Sequence, residues 1–255
     1  VWKRKNAKKL FESLLDEFPT GSLLTWETSQ PPELKGGVQY NSSMGAIKLI
    51  LDGQQRITTL YMIIRGKFPP YYNEEEIEND VRNLYIEVEK KELSFYKQQT
   101  MQDNPLWVKL SDIFNNKIRF RDVRDTLASA GHAVSKDRLD IIEDNFDDIK
   151  KIPEQEFLEQ AVPIKATLSE AINIFYKVNA SGIRLTEAEL ALAQICGYWP
   201  KARKILKDKI SDLEKHGFPF KLDLLVYMLQ GIQYHSGSNM EKLHPAEENE
   251  EKLPQ

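Results

Sequence analysis

The chain has 255 residues, 41% of them hydrophobic, which is enough apolar material for a substantial core. Its charged fraction is 29% and its formal net charge is -4, so there is no global basic signal for nucleic acid, and any DNA contact has to use a local patch. A single cysteine, Cys196, excludes an internal disulfide and a cysteine-based zinc site, and a reducing cytoplasm is expected.

From the N-terminus, Ala7, Leu10, Phe11, Leu14, Leu15 and Phe18 recur at helical spacing, predicting an amphipathic helix from about Asn6 to Phe18. Trp2-Lys3-Arg4-Lys5, with Lys8 and Lys9, reads either as a contact for nucleic acid or as the solvated start of that helix. Pro19-Thr20-Gly21 stops the helix, and a strand follows over Ser22 to Glu27. Gln30 to Gly45 reads as a loop. Ala46 to Leu51 is almost wholly apolar, as a central strand buried on both faces would be. A helix starts at Gly53 and ends at Arg65-Gly66, with Ile57, Leu60, Tyr61 and Ile64 as its inner face.

Further on, Leu84–Val88 and Leu93–Lys97 read as strands around the charged turn Glu89-Lys90-Lys91-Glu92. Leu106–Leu110 is another strand, with Ser111-Asp112 capping a short helix, and Phe157–Ile164 is a further one. The charged stretch from Arg119 to Ile152 is helical. Thr167-Leu168-Ser169-Glu170 forms a capping box that opens a helix, and that helix breaks at Asn179-Ala180-Ser181-Gly182. A second box, Thr186-Glu187-Ala188-Glu189, opens the next. Basic helical sequence follows Pro200 and turns at His216-Gly217-Phe218-Pro219. Residues 236–255 have little apolar content and are expected to be a disordered tail or the start of a further region. The expected organisation is an α+β core over 1–166, a helical extension over 167–235, and that tail. No apolar run approaches the roughly 20 residues of a membrane span. A start at Val1 without methionine is the expected look of a piece of a longer protein.

The chemistry concentrates at Asp52-Gly53-Gln54-Gln55-Arg56, where an apolar strand turns into a helix. A helix N-terminus presents unpaired N–H groups and partial positive charge to an anion. Arg56, one turn in, can add a forked permanent charge to a phosphate. Asp52 would repel that phosphate unless it binds Mg²⁺, which bridges carboxylate and phosphate. The competing reading makes Asp52 and Gln55 a capping box and Arg56 a solvated residue. Lys177, Asn179, Ser181 and Arg184 cluster around the later helix break, as pocket-lining groups or as a helix C-cap. His235, Asn239 and His244 lack the flanking strands of a His-Asn-His nuclease and are discounted.

Three stretches carry a family resemblance: Phe18-Pro19-Thr20-Gly21-Ser22-Leu23-Leu24-Thr25-Trp26, then Leu51 to Leu60, then Phe175 to Leu190. Together with the opening Val1-Trp2-Lys3-Arg4 they resemble the Asp-Gly-Gln-Gln-Arg domain at the N-terminus of GmrSD-type, modification-dependent restriction endonucleases, over about the first 200 residues. The resemblance implies a ParB/sulfiredoxin-like mixed-sheet core with helical additions. It implies a nucleoside triphosphate-binding and hydrolysing regulatory domain of a restriction or anti-phage defence protein. Carried over by position, Gly53, Gln54, Gln55, Arg56, Lys177 and Asn179 would hold the nucleotide phosphates. Asp52 would hold Mg²⁺, and Asp52, Gln54 and Gln55 would take the catalytic roles. DNA and a His-Asn-His-type nuclease domain or subunit would be partners, so this chain alone is not expected to cut DNA. The alternative is a non-catalytic DNA-binding or adaptor module that grips DNA phosphate and positions a nuclease partner.

Overall fold

The computed structural model describes residues 2–32, 34, 39–72, 77, 79–130, 134–180, 191–192, 195–196, 199 and 201–234. The fold is α+β. Its elements run α1 (Arg4–Leu15), β1 (Leu23–Thr28), β2 (Ile47–Asp52), α2 (Gln54–Arg65), β3 (Leu84–Glu87), β4 (Glu92–Phe95), α3 (Gln98–Met101), β5 (Trp107–Lys109), α4 (Leu110–Phe114), α5 (Phe120–Ser129), α6 (Lys136–Lys151), β6 (Glu159–Val162), α7 (Leu168–Ala180), α8 (Ala202–Lys215) and α9 (Leu222–Tyr234). Two compact units divide the chain: residues 1–23 with 50–160, and residues 24–49 with 161–255.

In the first unit, β3 is the centre of an antiparallel sheet of order β4-β3-β5. Side chains alternate across a strand. Leu84 and Ile86 therefore point inward with Leu93 and Val108, each nearly or wholly buried, and the intervening residues face out. The inward face shares one apolar cluster with Ala7, Leu10, Phe11 and Leu14 of α1, Met62 and Ile63 of α2, Leu110 and Ile113 of α4, and Ile142, Phe146 and Ile149 of α6. Asn115 ties α4 to the end of α2, donating from Nδ2 to the Ile64 carbonyl at 2.8 Å and the Ser111 carbonyl at 2.6 Å.

The second sheet has the order β2-β1-β6. β2 is thus an edge strand, and its residues are half-buried with Lys48 exposed. This corrects the expectation of a central strand buried on both faces. An apolar run is equally compatible with an edge strand covered on one side, and composition alone does not distinguish them.

In the second unit, Ala191, Leu192, Ile195, Ala202, Leu206 and Val226 form a separate apolar cluster. The first predicted capping box is present, with Thr167 N donating to Glu170 Oε2 at 2.8 Å and Glu170 N to Thr167 Oγ1 at 3.3 Å. The second box at 186–189, the helix break beyond Ala180 and the tail at 236–255 lie outside the described residues. Ser111-Asp112 does not cap α4, which starts one residue earlier at Leu110 with Lys109 at the N-cap. No described helix is long and apolar enough to cross a membrane.

Candidate functional site

The strand-to-helix corner lies where the sequence puts it. β2 ends at Asp52, and Gly53 takes a left-handed conformation (φ 93°, ψ 2°) as the N-cap of α2. Glycine is required there on two counts. The positive φ disfavours a side chain, and a Cβ at Gly53 would lie 2.4 Å from Leu23 Cδ2. Gly53, having no side chain, does not cap α2, and no side-chain cap is made among the described residues. Asp52 is therefore not the capping residue of the competing reading, and the first-turn N–H groups of Gln54, Gln55 and Arg56 keep the anion-binding character of a bare helix start.

Arg56 is almost fully buried, with its side chain 11% exposed. Its Nη1 donates to the Thr20 carbonyl at 2.8 Å and its Nη2 to the Ser22 carbonyl at 2.6 Å. The same Nη2 lies 3.6 Å from Asp52 Oδ2, whose side chain is 42% exposed. The guanidinium thus straps the segment between α1 and β1 onto the first turn of α2. Gly21, between the two carbonyls, also has a positive φ of 87°, and a Cβ there would stand 2.9 Å from Arg56 Nη1. Two glycines and one arginine form a single fitted unit. By sequence, Thr20 and Gly21 read as a helix stop and Ser22 as a strand start, with no sign of a tie to Arg56. The signal available for them was their place in the stretch Phe18 to Trp26, one of those that carry the family resemblance.

Gln54 folds back on β2, donating from Nε2 to the Ile50 carbonyl at 2.7 Å, while Gln55 is exposed. The buried face of α2 is offset from the predicted one. Arg56, Thr58, Thr59, Met62 and Ile63 are buried, and Ile57, Leu60, Tyr61 and Ile64 are half-buried. The offset follows from packing, since α1 and α4 both lie against α2 and close over Met62 and Ile63 as well as the predicted stripe. Among the described residues, the buried Thr59 hydroxyl has no hydrogen-bond partner.

Lys177 belongs to the second unit, on α7, and is exposed. The Asn179 side chain, Ser181, Arg184, His235, Asn239 and His244 lie outside the described residues. Among the described residues, no three His, Cys, Asp or Glu gather as a metal site. A single half-exposed carboxylate such as Asp52 suits a Mg²⁺ that arrives already bound to phosphate, since Mg²⁺ usually takes about one or two carboxylates and fills its shell with phosphate and water. The basic opening forms the start of α1. Arg4 lies over the Phe95 ring, 5.2 Å from its centroid, and donates from Nε to the Asp80 carbonyl at 3.3 Å.

The family model described as GmrSD restriction endonuclease, N-terminal domain, matches residues 1–196. No curated protein matches the chain.

Proposed function

This chain belongs to the GmrSD restriction endonuclease N-terminal domain family, and on that premise we propose that its strand-to-helix corner binds the phosphates of a nucleoside triphosphate and hydrolyses it, as the regulatory step of a restriction or anti-phage defence protein. The observation that carries this reading is the bare start of α2. A left-handed Gly53, without a side-chain cap, leaves three successive backbone N–H groups to an anion. Asp52, half-exposed at the same turn, is the proposed Mg²⁺ ligand. The ion, when bound, supplies neutralisation of the developing phosphate charge. Gln55 is exposed and is the proposed water-positioning amide, with Gln54 held nearer β2 by its bond to Ile50. Arg56 directs two of its five N–H groups at carbonyls. The others, with its fixed charge, are assigned to the phosphate. Lys177 and Asn179 stay in the proposal on their sequence string alone. A ParB/sulfiredoxin-like core, DNA and a His-Asn-His-type nuclease partner in the complete protein belong to the same proposal.

The engagement of Arg56 also favours a second reading. A guanidinium held fast by two backbone carbonyls offers a fixed charge and cannot follow phosphate charge as it develops in a reaction, which suits a module that grips a DNA phosphate without turnover. Thermal-shift measurements with each of the four nucleoside triphosphates, with and without Mg²⁺, separate the two. A ligand at a hundred times its Kd adds about 2.7 kcal/mol, which raises Tm by roughly 5–10 °C in a chain of this size. Asp52→Asn should lose the Mg²⁺-dependent part of that shift, and Gln55→Ala should keep the shift but release phosphate more slowly. Absence of a shift with all four nucleotides overturns the nucleotide reading.

A further inference from the structure

The sheet β4-β3-β5 has a second face, turned away from the core. Its residues follow from register. Tyr85 stands opposite Ser94 and Lys109, and Glu87 stands opposite Glu92 and Trp107. Tyr96 continues the outer side of β4, and its ring centroid lies 5.4 Å from that of Tyr85. Outward sheet positions are usually polar, yet three aromatic rings share this face. Tyr96 is 49% exposed. Trp107 is half-buried and is not among the side chains packed on the apolar cluster of its unit. A cavity of about 890 Å³ at the turn end of the sheet takes in Trp107, Ser94, Lys90 and Lys97 together with Glu87 and Glu92, and reaches Lys8 and Glu12 of α1.

The charges around this face are unevenly committed. Arg138 is spent on Glu89, and Lys91 on Asp148. Lys90, Lys97 and Lys109 make no ion pair among the described residues, and Lys90 and Lys97 are exposed, as is Glu92, an unpaired carboxylate of the same face that the three lysines outnumber. Glu87 is buried, at 6% exposure, and is fixed by the turn, its Oε2 accepting from Glu89 N at 3.1 Å and Lys90 N at 2.6 Å. Burial pushes its carboxyl up from the ordinary glutamate value.

We propose that this outer sheet face binds single-stranded DNA, with unpaired bases stacking on Trp107, Tyr96 and Tyr85 and the backbone phosphates meeting Lys90, Lys97 and Lys109. Rings on a sheet surface stack with any base, and lysines along the groove track the backbone without reading sequence. A duplex keeps its bases stacked on one another and offers the rings nothing, so the face selects unpaired strands. This site is separate from the α2 corner and stands whether or not that corner binds nucleotide.

The test is fluorescence anisotropy with the whole chain, without nucleotide, using a labelled oligothymidylate of about a dozen nucleotides. Wild type should prefer the single strand to a duplex of equal length by roughly tenfold or more. Trp107→Ala should weaken binding by roughly tenfold, and Trp107→Phe, which keeps a ring, should recover most of it. Lys90→Ala with Lys97→Ala should flatten the dependence of log affinity on log salt by about 0.7 per lysine. Equal affinity for duplex, absence of binding by the folded wild type, or unchanged affinity in a folded Trp107→Ala protein overturns the proposal.

Discussion

Arg56 joins positions 34 and 36 residues away, through the carbonyls of Ser22 and Thr20. A hydrogen bond to a charged group contributes about 1.5–3 kcal/mol, and orphaning its buried partner costs as much. Arg56→Ala is therefore expected to destabilise the first unit by about 2–4 kcal/mol in denaturant unfolding. Arg56→Lys should recover little, because a single ammonium cannot reproduce a planar fork that meets two carbonyls. Gly21→Ala should cost less in the Arg56→Ala background than alone, since Nη1 is what its Cβ would strike. None of this was legible from spacing. The sequence shows an arginine one turn into a helix, and the partners that bury it come from a separate stretch. Gly53, by contrast, was legible as the corner, since Asp-Gly between an apolar run and a helical period is a local signal.

Elements were legible where the pattern is local and shifted where packing decides. The hairpin strands β3 and β4 and the box at Thr167–Glu170 follow the sequence closely. β2 moved to an edge and α2 rotated its buried face because neither strand order nor a second packing partner is written in a hydropathy period. The turn between β3 and β4 illustrates how far charge can be read. It was legible as a charged turn, but its clasp to α6 was not. Arg138 Nη2 donates to Glu89 Oε2 at 2.7 Å, Lys91 Nζ to Asp148 Oδ2 at 2.6 Å, and Asn145 Nδ2 to the carbonyls of Val88 and Glu89 at 2.9 Å each. The hydrogen bond from Arg138 holds the Glu89 carboxyl below its usual value, and those from Lys91 and Lys151 do the same for Asp148. Stability from these carboxylates is present above the ordinary carboxylate range and is lost as pH falls through their lowered values. Glu87 acts in the opposite sense, since its raised value means the folded state takes up a proton first. Glu89→Gln should lower Tm near neutrality and shrink the fall in Tm between about pH 7 and pH 3.

For the molecule as a whole, the α+β class and the family membership were both legible, the first from alternating apolar runs and helical periods, the second from strings far apart in the chain. The family match stops at residue 196. The apolar cluster of the second unit does not, because Ala191, Leu192 and Ile195 pack with Ala202, Leu206 and Val226. Exposing a buried leucine or isoleucine costs roughly 1.5–3 kcal/mol each. A chain cut after Cys196 should therefore bind a hydrophobic dye and yield to protease in its second unit, while a chain ending at Tyr234 should not.

The strap at the α2 corner bears on how such motifs are used to diagnose activity. Gly53 and Arg56 close the bend by steric fit and carbonyl capture, duties that do not depend on any turnover at the corner. A relative stripped of Asp52 and Gln55 would still need both residues to keep its shape. Retention of the glycine and arginine thus reports an intact architecture and carries no information on turnover, which the proposed roles of Asp52 and Gln55 have to establish through their own variants.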